Sequence, residues 1–203
     1  MTIDINDLLN SIMESLDRFE FVETDDIPNI SLYMDQVTSF MDKKLKKSTR
    51  HQDTDKILTK TMINNYAKND LLPPPIKKKY NKEHLMVLIF IYYFKNILSI
   101  TDIKNMLNPL TSRYFGEDEE FSIEDVYNEV TRVSKTQMEA LKADIRAKYN
   151  KAMESFDEAE GKREQEFLQM FSFICMLSFD VYSKKLLIEK LLDEFADKYG
   201  DKE

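Results

Sequence analysis

Leu58-Thr59-Lys60-Thr61-Met62-Ile63-Asn64-Asn65-Tyr66-Ala67-Lys68, followed by Asn69-Asp70-Leu71-Leu72-Pro73-Pro74-Pro75 and Ile76-Lys77-Lys78-Lys79-Tyr80, is the stretch that decides the reading of this 203-residue chain. At 100° per residue, Lys60, Thr61, Asn64, Asn65 and Lys68 share an arc of about 140°. Thr59, Met62, Ile63, Tyr66 and Ala67 occupy the other side. The spacing predicts a helix over about 56–69 with one buried face and one polar face that carries no carboxylate. Three successive prolines then forbid helix, and the basic segment 76–80 reads as an extended loop or small wing.

Working outward, the same window is charge-segregated. Residues 43–82 hold 12 Lys/Arg against three Asp/Glu, a local charge of +9, whereas the whole chain is −8 and the remainder therefore −17. A solvated surface normally mixes the two signs, so this bias points to an anion-rich partner. Nucleic acid is the commonest one, because neutralised phosphates release counterions and supply most of the affinity. The polar arc has chemistry to match. Asn makes paired hydrogen bonds to an adenine edge, Lys reaches guanine acceptors or phosphate, and a Thr methyl touches thymine. The expected contacts to double-stranded DNA are thus Lys60, Thr61, Asn64, Asn65 and Lys68 in the major groove. Lys77, Lys78, Lys79 and Tyr80, with Lys43, Lys44, Lys46 and Lys47, are expected at flanking phosphates. Tyr66 and Tyr80 also fit as tyrosines packed beneath the wing. An acidic protein is the alternative partner, since the chain from residue 117 onward holds 22 acidic and 13 basic residues. Membrane attachment lacks a matching aromatic, apolar helix face.

The rest of the chain reads as helix. Three glycines and five prolines leave few tight turns, and apolar residues recur by threes and fours. Helices are expected over 4–20, from a Ser31 cap to the lysine cluster at 46, over 82–98, and from Ser99 or Thr101 to a stop at Asn108-Pro109. The run Leu85 to Phe94 is a buried core helix, too short for a membrane span of about 20 residues. Gly116 and the acidic run Glu117 to Glu120 mark a boundary. Beyond it, a stripe from Ile123 to Phe156 predicts one helix of about 35 residues, broken by Gly161. An unusually apolar helix or helix pair over 163–199 follows and needs covering by the chain itself or by a second copy.

The order of these residues carries a resemblance. Leu58 to Tyr66, Leu71-Leu72-Pro73, Lys78-Lys79-Tyr80, His84-Leu85 and Ile100-Thr101-Asp102-Ile103 together are similar to a MerR-type winged helix-turn-helix. There a recognition helix ends in tyrosine, a Leu-Leu-Pro turn opens a basic wing and an Ile-x-x-Ile pattern marks the fourth helix. The block from Ile27 to Leu107, including Leu32-Tyr33-Met34-Asp35-Gln36-Val37, resembles the bacterial domain of unknown function 1836. That block covers about 40% of the chain. The resemblance implies a winged-helix fold and a regulatory role, with no activity attached.

No catalytic constellation is visible. His51 and His84 are too far apart in sequence for a metal motif, and no paired cysteines exist. His84 is expected at a helix start, exposed or half-buried. The single Cys175 reads as an inert core thiol and suits a cytoplasmic protein. The Glu117 to Glu120 run reads as a solvated linker. The chain is expected to be all-α: an N-terminal amphipathic helix (1–26), a MerR-like winged helix-turn-helix domain (27–110) and a long-helix dimerisation or effector domain (117–203). It is expected to be a non-enzymatic, cytoplasmic transcription regulator without metal or cofactor, with no signal peptide. It would bind DNA as a homodimer through its C-terminal helices, with a small-molecule effector left open.

Overall fold

The computed structural model describes residues 5–17, 21–116 and 121–199. The protein is mostly helical, as its composition predicts, with one two-stranded sheet among the described residues. Two compact units are distinguished. The first runs to Arg132 and includes the segment from Leu192, and the second is Val133–Leu191.

In the first unit, helix α1 (Ile5–Asp17) precedes strand β1 (Leu32–Tyr33) and helix α2 (Met34–Leu45). Helix α3 (Lys60–Lys68), strand β2 (Lys79–Tyr80), helix α4 (Lys82–Phe94), helix α5 (Ile100–Tyr114) and helix α6 (Ile123–Thr136), the last of them as far as Arg132, follow. The core is built around α4, where Leu85, Met86, Val87, Leu88, Ile89 and Ile91 are all fully buried. No polar face interrupts this helix, so it must be wrapped on all sides. Val37, Met41 and Leu45 of α2, Ile63 of α3, Ile103 of α5 and Ile123 of α6 are buried with it. Each such side chain contributes about 1.5–3 kcal/mol on burial.

Several expected boundaries move, each for a local reason. Ser31 does not cap a helix; Leu32 and Tyr33 pair antiparallel with Tyr80 and Lys79, and α2 starts only after them. The Gln36 Oε1 accepts the Tyr33 N–H at 2.9 Å and closes the first turn of α2. The helix expected over 56–69 starts at Lys60, because Thr59 Oγ1 accepts the Met62 N–H (3.2 Å) as its N-cap. Ile57 and Leu58 are buried in the approach. Pro109 does not end α5 but lies buried within it. A proline there removes one backbone donor, while the helix retains its Ser99–Asp102 capping box and the buried Ile103 and Leu107.

The helix expected from Ile123 to Phe156 is two. Helix α6 ends at Thr136 and helix α7 (Met138–Met153) begins after Gln137, whose N–H bonds back only three residues to Ser134 (3.2 Å). Val130 and Val133 of the stripe are exposed, so packing does not hold this segment straight. Helix α7 stops before Phe156 and Gly161, both at positive φ (61° and 101°). Helix α8 (Lys162–Tyr199) is then one unbroken rod of 38 residues. Within the second unit it meets α7 where the Tyr149 ring stands edge-on to Phe173, 5.5 Å between centroids.

Candidate nucleic-acid interface

Helix α3 places the polar arc of the wheel outward. Lys60, Thr61, Asn64, Asn65 and Lys68 are exposed, while Ile63 and Tyr66 are buried. Its end is fixed by a Schellman closure: Asp70 adopts a left-handed φ of 57° and the Leu71 N–H reaches the Tyr66 carbonyl at 2.9 Å. Leu71 and Leu72 are buried directly behind it. The Leu-Leu pair therefore anchors the turn, and the prolines lead the chain out toward the wing.

The segment 76–79 is a tight hairpin. Ile76 and Lys79 exchange both backbone hydrogen bonds (3.1 and 3.0 Å) around Lys77 and Lys78, whose φ values are 50° and 63°. Positive φ at both central residues is the type I′ pattern, ordinarily filled by Asn-Gly. Two lysines in left-handed conformation are a strained choice, and they leave both ammonium groups at the exposed tip. The side chain of Ile76 is 72% exposed beside them.

Contacts join this tip to the start of α3. Lys79 Nζ lies 5.0 Å from the centre of the Tyr33 ring, and Tyr33 directly precedes α2. Two residues on, Asp35 forms an ion pair with Lys60 at the first turn of α3. Lys60 and Lys79 of the hairpin thus both reach the N-terminus of α2. Lys43, Lys44, Lys46 and Lys47 lie at the opposite end of α2, about 18 Å away along the helix. Lys44 there pairs with Asp26 at 3.0 Å, while Lys43, Lys46 and Lys47 are exposed.

Tyr80 is a core residue, 3% exposed, and burial pushes its hydroxyl pKa up, as it does for Tyr66. The Tyr80 ring stands edge-on to His84, which is buried rather than exposed or half-buried as expected. The Asn81 N–H donates to His84 Nδ1 at 3.1 Å, and Asn81 Oδ1 accepts the His84 N–H at 3.1 Å. His84 is the return arm of a capping box on α4, a role that takes its ring under the wing. Nδ1 also meets Asn81 Oδ1, and Nε2 lies 3.5 Å from the Pro74 carbonyl. Burial holds the imidazole below its ordinary pKa and therefore neutral.

Tyr33, Asp35 and Ile76 are the surface residues that sequence reasoning did not select. Tyr33 lies outside the basic window and nothing local marked it; the Asp35–Lys60 pairing bridges elements 25 positions apart and had no signal either. Among the described residues, no three His, Cys, Asp or Glu side chains are grouped to hold a metal. No described helix is long and apolar enough to cross a membrane. Cys175 is a free, half-buried thiol on α8.

At its other edge, the first unit is closed by α6. Tyr127 Oη donates to the Val22 carbonyl at 2.6 Å, its ring packs 5.3 Å from Phe90, and Thr24 Oγ1 meets Asn128 Oδ1. These contacts tie position 22 to the region of position 130. The family model for a domain of unknown function, DUF1836, matches residues 22–130. That span holds the hairpin, α2 to α5 and the part of α6 that closes on Val22. Neither the curated proteins nor the solved structures compared with the chain give a match. With more than half of its length matched, the chain belongs to the DUF1836 family.

Proposed function

We propose that the first unit is a MerR-like winged helix-turn-helix that binds double-stranded DNA, and that the protein is a transcription regulator. Helix α3 enters the major groove and presents Lys60, Thr61, Asn64, Asn65 and Lys68 to base edges. Lys77, Lys78 and Lys79 hold the backbone beside it, with Lys43, Lys46 and Lys47 available to more distant phosphates. The observation that supports this best is the lysine hairpin standing with Lys60 around one end of α2. Charge convergence beside an exposed, carboxylate-free helix face suits a polyanion whose phosphates recur at fixed spacing.

A second reading, docking of an acidic protein, draws on the apolar surface around the lysines. Tyr33 and Ile76 are exposed there, and Asp35 shares the surface with Lys60. A salt titration against random genomic duplex fragments, with bound fragments sequenced, separates the two. DNA recognition gives a steep loss of affinity with salt and an enriched motif. Absence of binding at low salt rejects it in favour of the protein partner.

A further inference from the structure

The second unit leaves one side of α8 uncovered. Over residues 169–180 its inner side is occupied: Phe173 meets Tyr149, Gln169 Nε2 donates to the Met153 and Ser155 carbonyls (2.9 and 3.1 Å), and Asp180 lies 3.7 Å from Lys148. On another side Phe167, Phe171, Ile174 and Val181 are 66, 56, 54 and 64% exposed. Together with Ser178 they step by four, three, four and three, the spacing of a two-helix seam, and fall within an arc of about 80°. Tyr182 and Phe179, also exposed, widen the stripe.

We infer that a second copy of this chain covers this seam, with the two α8 helices antiparallel about a two-fold axis passing beside Met176. Area is the first argument. At about 200 Å² for a side chain of this size, the six residues expose roughly 700 Å² per copy. Two copies would bury at most roughly 1,400 Å², inside the range of a stable, specific interface. Charge is the second. The antiparallel register sets Arg163 against Glu189 and Lys185 over Phe167, and the two-fold repeats each pair. A parallel register would set Arg163 against Arg163 and Lys185 against Lys185. In the antiparallel arrangement Phe171 meets Val181 and Ile174 meets Ser178, so the seam is self-complementary.

The proposal does not depend on the DNA reading and is tested without DNA. Sedimentation equilibrium of the full chain is expected to give twice its mass of 24.1 kDa. Phe171→Glu, on an exposed side chain, should give the single-chain mass with its helical circular dichroism unchanged. Arg163→Glu should raise the dimer Kd by about tenfold, since the two-fold repeats the lost pair. Adding Glu189→Arg should restore the original Kd. A single-chain mass for the unaltered protein, an assembly larger than two, or a dimer insensitive to Phe171→Glu would overturn the interface. Failure of the charge swap to restore association would overturn the antiparallel register.

Discussion

The lysine hairpin allows charge to be removed without damage to shape. Replacing Lys77 by Asn and Lys78 by Gly installs the pair that a type I′ turn prefers, at φ values of 50° and 63°. Relief of the left-handed strain at Lys78 is worth about 1–2 kcal/mol. The extra chain entropy of an unfolded glycine takes back about 0.5–1 kcal/mol. The Lys77→Asn/Lys78→Gly protein should therefore be as stable as the parent or about 1 kcal/mol more so, measured by urea unfolding. Its binding to DNA should nevertheless weaken. Each phosphate contact contributes about 0.9 to the slope of log K against log salt, so loss of two makes the slope shallower by about 1.8. At 0.1 M salt this amounts to about 60-fold in affinity. Fluorescence anisotropy across a salt series reads both quantities. An unchanged slope with an intact fold would show that the hairpin does not touch phosphate. A stability loss above about 1 kcal/mol would instead refute the assignment of the turn.

Three further outcomes are expected. Asn64→Ala, on the exposed arc of α3, should relax discrimination at one base pair by about 1–3 kcal/mol while leaving the salt slope unchanged, as read by selection from random duplexes. Leu85→Ala, at a position fully buried in α4, should cost about 2–5 kcal/mol of unfolding free energy, seen as a lower urea midpoint. The buried His84 should impose a pH dependence on stability. Its folded pKa lies below the unfolded value of about 6.5. The unfolded chain thus binds a proton that the folded one refuses, and stability present above about pH 6.5 falls as the pH drops toward the folded value. Urea unfolding at successive pH values should show a steeper acid-side loss for the parent than for His84→Gln, and equal slopes would contradict a buried neutral imidazole.

What the sequence made legible follows from how local each determinant is. Leu85 to Phe94 declares itself as core because ten successive apolar residues have no polar side to show to water, whatever surrounds them. The face of α3 is legible for the same reason, since Ile63 and Tyr66 fix which side is inward. The end of α5 is not, because a proline forbids only one hydrogen bond, and neighbouring burial decides whether the helix continues past Pro109. The break at Gln137 is hidden in an unbroken three-and-four spacing; only burial separates stripe positions that pack, such as Tyr127, from Val130 and Val133, which do not.

Strand β1 lies furthest from sequence. Two residues cannot display alternation, and the partner that makes Leu32 and Tyr33 a strand sits at Lys79 and Tyr80, across two helices' worth of chain. That pairing has the largest consequence for the candidate interface. It delivers the lysine hairpin to the start of α2, where Asp35 already holds Lys60. A carboxylate is therefore built into a surface whose helix α3 lacks one. Close to a phosphate, Asp35 would be repelled while Lys60 is attracted, so their ion pair must open for Lys60 to bind. Exposed pairs of this kind hold by only about 0–1 kcal/mol, so opening is cheap beside a phosphate contact. The same pairing would hold the Lys60 side chain over α2 in the absence of DNA. A contact made only in the free state subtracts from affinity, here by about 1 kcal/mol at most.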